Sequence, residues 1–364
     1  MMDNKRTFAI LTGGGDAPGL NAVIRGAAKT FLNNGCKVYG SINGFNGLVN
    51  GKLEPLDYKR ISGILPRGGT ILGTTNRDNP FRFAVHNEKG LVFEDRRQMV
   101  LDNLKKLNVE ALVVIVGDGS LAIGAQLARE CGVNVVGCPK TIDNDILGTE
   151  RTFGFDTAMS AATDAIDRLH TTAESHHRVM VLEVMGRYAG WIALHSGIAG
   201  GADVILLPEI PYQIDKVIEK IEARKAAGKS FSIVVVAEGA KPVGGELSVA
   251  RGVKESFDTI RLGGAGEKVA KAIEEMTGIE SRNTTLGYLQ RGGTPTAFDR
   301  VLATRYGVVA AESCLKGEYN VMMSLQNDQI KAVDLQIAGS GSRNVPLDFE
   351  LIRVGRELGI SFGD

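Results

Sequence analysis

Five short segments place carboxylates, arginines and glycines where phosphate chemistry needs them. The first is Thr12-Gly13-Gly14-Gly15-Asp16-Ala17-Pro18-Gly19-Leu20-Asn21, between an apolar run and a helical pattern. Glycines at such a turn let backbone N–H groups approach an anion, and the start of a helix adds a favourable dipole. The segment lacks the lysine of the P-loop and does not match G-x-G-x-x-G, so a plain tight turn is the competing reading. The second is Gly117-Asp118-Gly119-Ser120. Its carboxylate, set among small residues, suits a Mg²⁺ ion held partly by phosphate oxygens. The same aspartate could instead cap the following helix.

The third segment is Pro139-Lys140-Thr141-Ile142-Asp143-Asn144-Asp145. One of its carboxylates could accept a proton from a hydroxyl while the other orients a cation. An Asx-rich loop is the alternative. The fourth is Met185-Gly186-Arg187-Tyr188-Ala189-Gly190-Trp191, and the fifth is Arg282 followed by Gly287-Tyr288-Leu289-Gln290-Arg291-Gly292-Gly293. An arginine beside glycines at a strand end can grip a phosphate. A single arginine is usually a solvated surface charge, but several at strand ends are harder to dismiss.

These segments need a scaffold, and the apolar pattern supplies one. Short runs at Phe8–Leu11, Val38–Tyr39, Ala111–Val116, Val133–Val136, Val179–Val184, Val204–Leu207 and Ile233–Ala237 read as strands. Helical periodicity follows Asn21 and covers Thr157–Leu169 and Gln213–Ala226. Alternation of this kind predicts parallel sheets covered by helices, with ligands beyond the carboxyl ends of the strands. A boundary between two α/β units is expected near Gly148–Gly154. No internal repeat is visible.

Composition narrows the function classes. The chain has 364 residues with 42 basic and 42 acidic side chains, so a general nucleic-acid surface is not expected. Its 46 glycines are not periodic and accompany only 10 prolines, which excludes collagen and low-complexity disorder. Cys36, Cys131, Cys138 and Cys314 form no C-x-x-C pair, so reduced thiols are expected rather than a disulfide frame or a zinc site. There is no signal-peptide core and no membrane-length apolar run. A cytoplasmic location follows as the simplest expectation. His176, His177, His195 and Trp191 read as surface or packing residues.

Taken in order, G-G-D-A-P-G-x-N, G-D-G-S, P-x-T-I-D-N-D, M-G-R-x-x-G and G-x-x-Q-R-G-G resemble the phosphofructokinase family from about Phe8 to Arg300. The resemblance implies two Rossmann-like three-layer α/β/α domains with mostly parallel sheets and an active site in the cleft between them. Residues 1–153 plus about 289–339 would bind ATP-Mg, and 154–288 plus about 340–364 would bind fructose 6-phosphate. The implied reaction moves a phosphoryl group from ATP to the sugar 1-hydroxyl. By the same resemblance Asp143 is the general base, Thr141 contacts the reacting end and Arg187 stabilises the transferring group. Asp118 organises Mg²⁺, with Asp145 a second candidate. Gly15, Asn76, Arg77, Gly117, Gly119 and Ser120 lie on the nucleotide side. Ile142, Met185, Gly186, Glu238 and Tyr288 line the sugar site, and Arg178, Arg282 and Arg291 form the pocket for the 6-phosphate. Arg178 and Arg282 would reach in from a neighbouring subunit, which implies a dimer or tetramer with shared active sites.

The phosphoryl donor rests on two positions. Gly119 is glycine in family members that use ATP, since a carboxylate there would repel the α-phosphate. Lys140 is the residue of members that use diphosphate. The mixture resembles the mixed-substrate group, in which the glycine accompanies ATP. The alternative is a reversible, diphosphate-dependent phosphotransferase. The glycine-aspartate-glycine loop is also similar to NAD and diacylglycerol kinases, but the Thr-Ile-Asp-Asn-Asp and Met-Gly-Arg segments argue against those. A non-catalytic sugar-phosphate sensor is argued against by the presence of both Asp143 and Arg187. Val116 and Tyr288 depart from common family residues. Arg25 matches an effector-site arginine, whereas Tyr58 and His170 replace two others, so weak effector responses at that site are expected.

Overall fold

The computed structural model describes residues 5–88, 90–252, 260–337 and 339–364, apart from the Arg251 side chain. Uninterrupted runs of Val, Ile and Leu form strands that are buried on both faces, as parallel sheets covered by helices require. The larger sheet runs, in spatial order, Gln329–Asp334, Val321–Gln326, Val135–Pro139, Val109–Val116, Thr7–Gly13, Lys37–Ser41 and Leu53–Pro55. Its five inner strands are parallel, and the outer one on each side is antiparallel. A smaller parallel sheet runs Ser281–Thr285, Val179–Val184, Ser232–Ala237 and Val204–Leu206. Two antiparallel hairpins, Phe83–Asn87 with Gly90–Glu94 and Val249–Gly252 with Ile260–Leu262, complete the strands.

Every strand read from the apolar runs is present, with ends moved by up to three residues. The largest slip is Val133–Val136, where pairing starts at Val135 and continues to Pro139. The helix expected over Thr157–Leu169 extends over Phe155–His176. Its last two turns bury only Ala173, so the apolar period fades while the backbone continues. The C-terminal hairpin turns at Asn327 and Asp328, with φ of 49° and 56°. Those values suit the primed turns that match strand twist.

Helices Leu20–Asn33 and Ala297–Lys316 cross closely on the larger sheet. Glycine permits the approach, since a Cβ at Gly307 would lie 2.3 Å from the Val23 carbonyl oxygen. The second helix begins at Thr296, whose hydroxyl accepts the Asp299 N–H at 3.2 Å. Asp299 is fully buried and accepts from the Thr157 N–H at 2.8 Å and the Thr157 hydroxyl at 2.6 Å. This joint pins the long helix under the smaller sheet to a helix of the larger one.

Candidate active site

The carboxyl ends of both sheets open towards each other, and loops from each meet there. On the larger sheet the glycine loop after Thr7–Gly13 is fastened to residues 74–77. The Gly14 N–H donates to the Thr75 carbonyl at 2.9 Å, and the Thr74 hydroxyl donates to the Gly14 carbonyl at 2.7 Å. Asn76 is half-buried and Arg77 is exposed beside it. The N-terminus of helix Asp118–Cys131 stands next to this loop, with the Ser120 hydroxyl oxygen 3.6 Å from where a Gly14 Cβ would sit. The cap position belongs to Gly117 and no side chain caps the helix. Asp118 Oδ1 instead accepts the Gly339 N–H at 2.8 Å, and burial raises its carboxyl pKa. A Cβ at Gly119 would meet no atom within 4 Å, so the space in front of it is open.

Lys140 joins the two glycine segments. Its ammonium donates to the Gly15 carbonyl, and its backbone N–H donates to the Val116 carbonyl at 3.0 Å. The side chain is buried. Burial, with Arg291 adding repulsion, lowers the amine to about 7. Arg291 ends the short turn Gly287–Arg291 and donates to the Asp16 carbonyl at 3.1 Å. It therefore packs on the glycine loop, while Tyr288 on the same turn is exposed.

The loop after Val135–Pro139 is tied down on several sides. Thr141 Oγ1 accepts the Asp143 N–H at 3.0 Å. The Thr152 hydroxyl donates to the Thr141 carbonyl at 2.8 Å, and its N–H donates to Asn144 Oδ1 at 3.0 Å. Asn144 adopts the left-handed conformation, with φ 55°. Arg343 donates from Nη1 to the Asn144 carbonyl at 3.1 Å and from its backbone to the Asp145 carbonyl at 2.8 Å. Ile142 is buried beneath the loop. Asp143 is only 4 % exposed, and its Oδ1 is buried with no donor among the described residues. Leaving such an acceptor bare costs about 1–3 kcal/mol, and a donor from a ligand would relieve that cost. Burial raises the neighbouring Asp145 carboxyl, and the Asp143 charge adds to the rise.

The smaller sheet faces this loop with two further segments. Arg187 has φ 54°, an uncommon conformation for a side-chain-bearing residue. Its N–H donates to Glu238 Oε1 at 2.9 Å. A Cβ at Gly239 would fall 2.0 Å from the Arg187 carbonyl, so glycine is needed for this approach. Gly186, with φ 141°, completes the tight turn after the half-buried Met185. Burial followed by repulsion from Asp143 raises Glu238 to about 7. The crevice thus collects carboxylates that carry a charge poorly without a cation nearby.

Two expected residues lie elsewhere in the chain. Arg178 precedes Val179–Val184 and Arg282 sits at the start of Ser281–Thr285, both at the amino edge of the smaller sheet. A six-residue strand spans roughly 20 Å, so neither reaches the crevice at the opposite edge of its own chain. Arg178 pairs with Glu280 at 2.7 Å, and Arg282 pairs with Glu280 and with Glu274 at 3.4 Å. Thr152, Gly339 and Arg343 had no distinguishing signal in the sequence, because each acts through loop contacts rather than through a motif. His195 and Trp191 are packing residues as read, with the Trp191 Nε1–H donated to the Arg343 carbonyl at 2.7 Å.

Among the described residues no three His, Cys, Asp or Glu side chains converge as a metal cage. Asp118, Asp143 and Asp145 are nonetheless close enough for the first two to raise the third. One or two carboxylates completed by phosphate oxygens is the usual arrangement for Mg²⁺, and these residues fit it. No helix of the described residues is long and apolar enough to cross a membrane.

Comparison with known proteins agrees with this geometry. The phosphofructokinase family model matches residues 7–314. An ATP-dependent 6-phosphofructokinase of Clostridium perfringens is 52% identical over the whole of both chains. One from Chloroflexus aggregans is 48% identical, covering 100% of this chain and 99% of its own. A pyrophosphate–fructose 6-phosphate 1-phosphotransferase of Amycolatopsis mediterranei is 49% identical over 93% of this chain and 96% of its own. Pichia pastoris phosphofructokinase superposes with a TM-score of 0.79 at 33% identity, covering 93% of this chain and 36% of that one. With its crevice between two α/β sheets and its matching motifs, the chain belongs to the phosphofructokinase family.

Proposed function

We propose that the protein is an ATP-dependent 6-phosphofructokinase, transferring the γ-phosphoryl group of ATP to the 1-hydroxyl of fructose 6-phosphate. The observation that carries the mechanism is the bare, buried Oδ1 of Asp143 opposite the turn that presents Arg187. Phosphoryl transfer needs positioning and charge neutralisation more than covalent chemistry. Asp143 accepts the proton of the 1-hydroxyl as the oxygen attacks, and Thr141 holds the loop that orients it. Arg187 neutralises charge on the equatorial oxygens. Glu238 fixes Arg187 through its backbone and contacts the sugar hydroxyls. The N–H groups of the glycine loop and of Gly117–Ser120 receive the donor phosphates, and Lys140 adds charge at their edge. Mg²⁺, held by Asp118 with Asp145 near, would supply charge neutralisation across the donor phosphates. The donor half is 1–153 plus about 289–339, and the acceptor half is 154–288 plus about 340–364. The open space at Gly119 accommodates the α-phosphate of ATP and supports ATP over diphosphate. The buried Lys140 and the Amycolatopsis relative favour the second reading, a diphosphate-dependent enzyme.

Arg178 and Arg282 complete the 6-phosphate pocket from a neighbouring subunit, which makes the working unit at least a dimer. The four unpaired cysteines suit a reducing cytoplasm. Asp143→Asn tests the mechanism. Turnover should fall about 100-fold or more while KM values stay within a few-fold, as for loss of a general base. Undiminished turnover would remove Asp143 from the role.

A further inference from the structure

Behind the Asp143 loop, on the side away from the glycine segments, lies a cavity of about 320 Å³. Two guanidinium groups, Arg151 and Arg343, line it with Phe155, Trp191, Phe298 and His195. Arg343 lies 4.1 Å over the Trp191 ring, and Arg151 lies 4.8 Å from the Phe298 ring and 5.1 Å from that of Phe155. Stacking of this kind presents the edges of a guanidinium to whatever occupies the space. Their charges are only partly compensated, since burial and Arg151 lower the Arg343 pKa while Glu150 on the same wall raises it. Arg343 makes no ion pair among the described residues, and its N–H groups donate to the backbone carbonyls of Asn144 and Asp145. Arg151 has a single long contact to Asp156 at 3.4 Å, and its Nε is buried without an acceptor.

The two acids on the cavity wall are occupied elsewhere. Glu150 accepts the Asn327 N–H at 3.0 and 3.2 Å, and Asp328 pairs with Arg305 at 2.9 Å. His195 is held neutral by burial and by the two arginines, which lower it to about 4. The cavity therefore holds two guanidinium groups among aromatic rings, with Glu150 offsetting part of their charge, and lacks an acceptor for a buried donor.

We propose that this cavity is a second ligand site, binding a small organic phosphate whose planar, apolar body lies against the exposed Phe298 ring while its anion meets Arg151 and Arg343. The anion supplies the acceptor that Arg151 Nε lacks, and planar bidentate pairing is what guanidinium offers a phosphate. The pocket lies within the size range of small-molecule sites. Arg343 also grips the carbonyls of Asn144 and Asp145. A ligand that draws on Arg343 thus changes the hold on the loop that carries Asp143. That consequence for turnover rests on the catalytic reading of Asp143, whereas the binding itself does not.

The single tryptophan of the chain is Trp191, so its fluorescence reports this wall alone. The test uses the full-length protein with the active site filled by fructose 6-phosphate and a non-hydrolysable ATP analogue. Phenyl phosphate, inorganic phosphate and benzyl alcohol are titrated separately. Phenyl phosphate should change the Trp191 emission saturably and bind about tenfold tighter than inorganic phosphate, with benzyl alcohol silent to about 10 mM. Arg151→Gln should weaken phenyl phosphate about tenfold or more, with circular dichroism and melting temperature showing that the variant is folded. No saturable change, or equal affinity in Arg151→Gln, overturns the site. Saturable binding with an unchanged KM for fructose 6-phosphate would keep the site and remove its link to the loop.

Discussion

Asp143, Glu238, Asp145 and Lys140 form one electrostatic problem. All four are withdrawn from water, and burial favours the neutral forms of Lys140, Asp145 and Glu238. Lys140 gives the problem a measurable sign. With its amine lowered to about 7, the group is mostly neutral at pH 8 before the donor arrives. Donor phosphates placed beside it favour the charged form, so its pKa rises and ATP binding at pH 8 takes up a proton. Calorimetric titration of ATP in buffers of different ionisation enthalpy should show an uptake approaching one proton, absent in Lys140→Met. Uptake of the same size in that variant would place the proton elsewhere. The Gly119 and Lys140 pair was legible as a donor signature. The contact between Lys140 and the Gly15 carbonyl was not, because residues 125 positions apart share no local pattern.

At the scale of elements, the apolar runs placed seven strands of the two sheets. Burial on both faces leaves little choice of residue, so the signal is continuous rather than alternating. Leu53–Pro55, Ser281–Thr285, Val321–Gln326 and Gln329–Asp334 escaped, as did the Val249–Gly252 and Ile260–Leu262 hairpin and the Phe83–Asn87 and Gly90–Glu94 hairpin, since their strands are short or partly polar. Four of the five motifs were legible because each lies where a buried strand ends. What the sequence did not reveal is the joint between helices Phe155–His176 and Ala297–Lys316, which depends on Asp299 meeting Thr157 across 142 positions. Burial raises the Asp299 carboxyl, and the two Thr157 donors counter that rise. Asp299→Ala removes the acceptor and strands both donors. It should cost about 2–4 kcal/mol, read as a lower denaturation midpoint in urea. A variant as stable as the parent would show that the joint carries no net stability.

For the whole molecule, the placement of Arg178 and Arg282 is the feature with the widest consequence. Both stand at the amino edge of the smaller sheet, about a strand length from the crevice of their own chain. If a second copy presents them, every active site combines Asp143 of one chain with Arg178 of another. Arg178→Ala and Asp143→Asn should each be nearly inactive. Mixed after unfolding and refolding together, they should regain roughly a quarter of parental activity, since half the random dimers carry one site with both groups intact. Mixtures no more active than their parts would mean that each chain completes its own site. The two-sheet architecture and the crevice were legible in the sequence, while an arrangement between chains has no signature in one chain's pattern.

The account turns on which donor fits the space before Gly119. The most direct measurement is formation of fructose 1,6-bisphosphate from fructose 6-phosphate with Mg²⁺, comparing ATP with diphosphate at equal concentration. Product formed with ATP and none with diphosphate is the predicted result, and it would leave Lys140 as an accessory phosphate contact. Product formed with diphosphate alone would contradict it, because Lys140 would then outweigh the open space at Gly119.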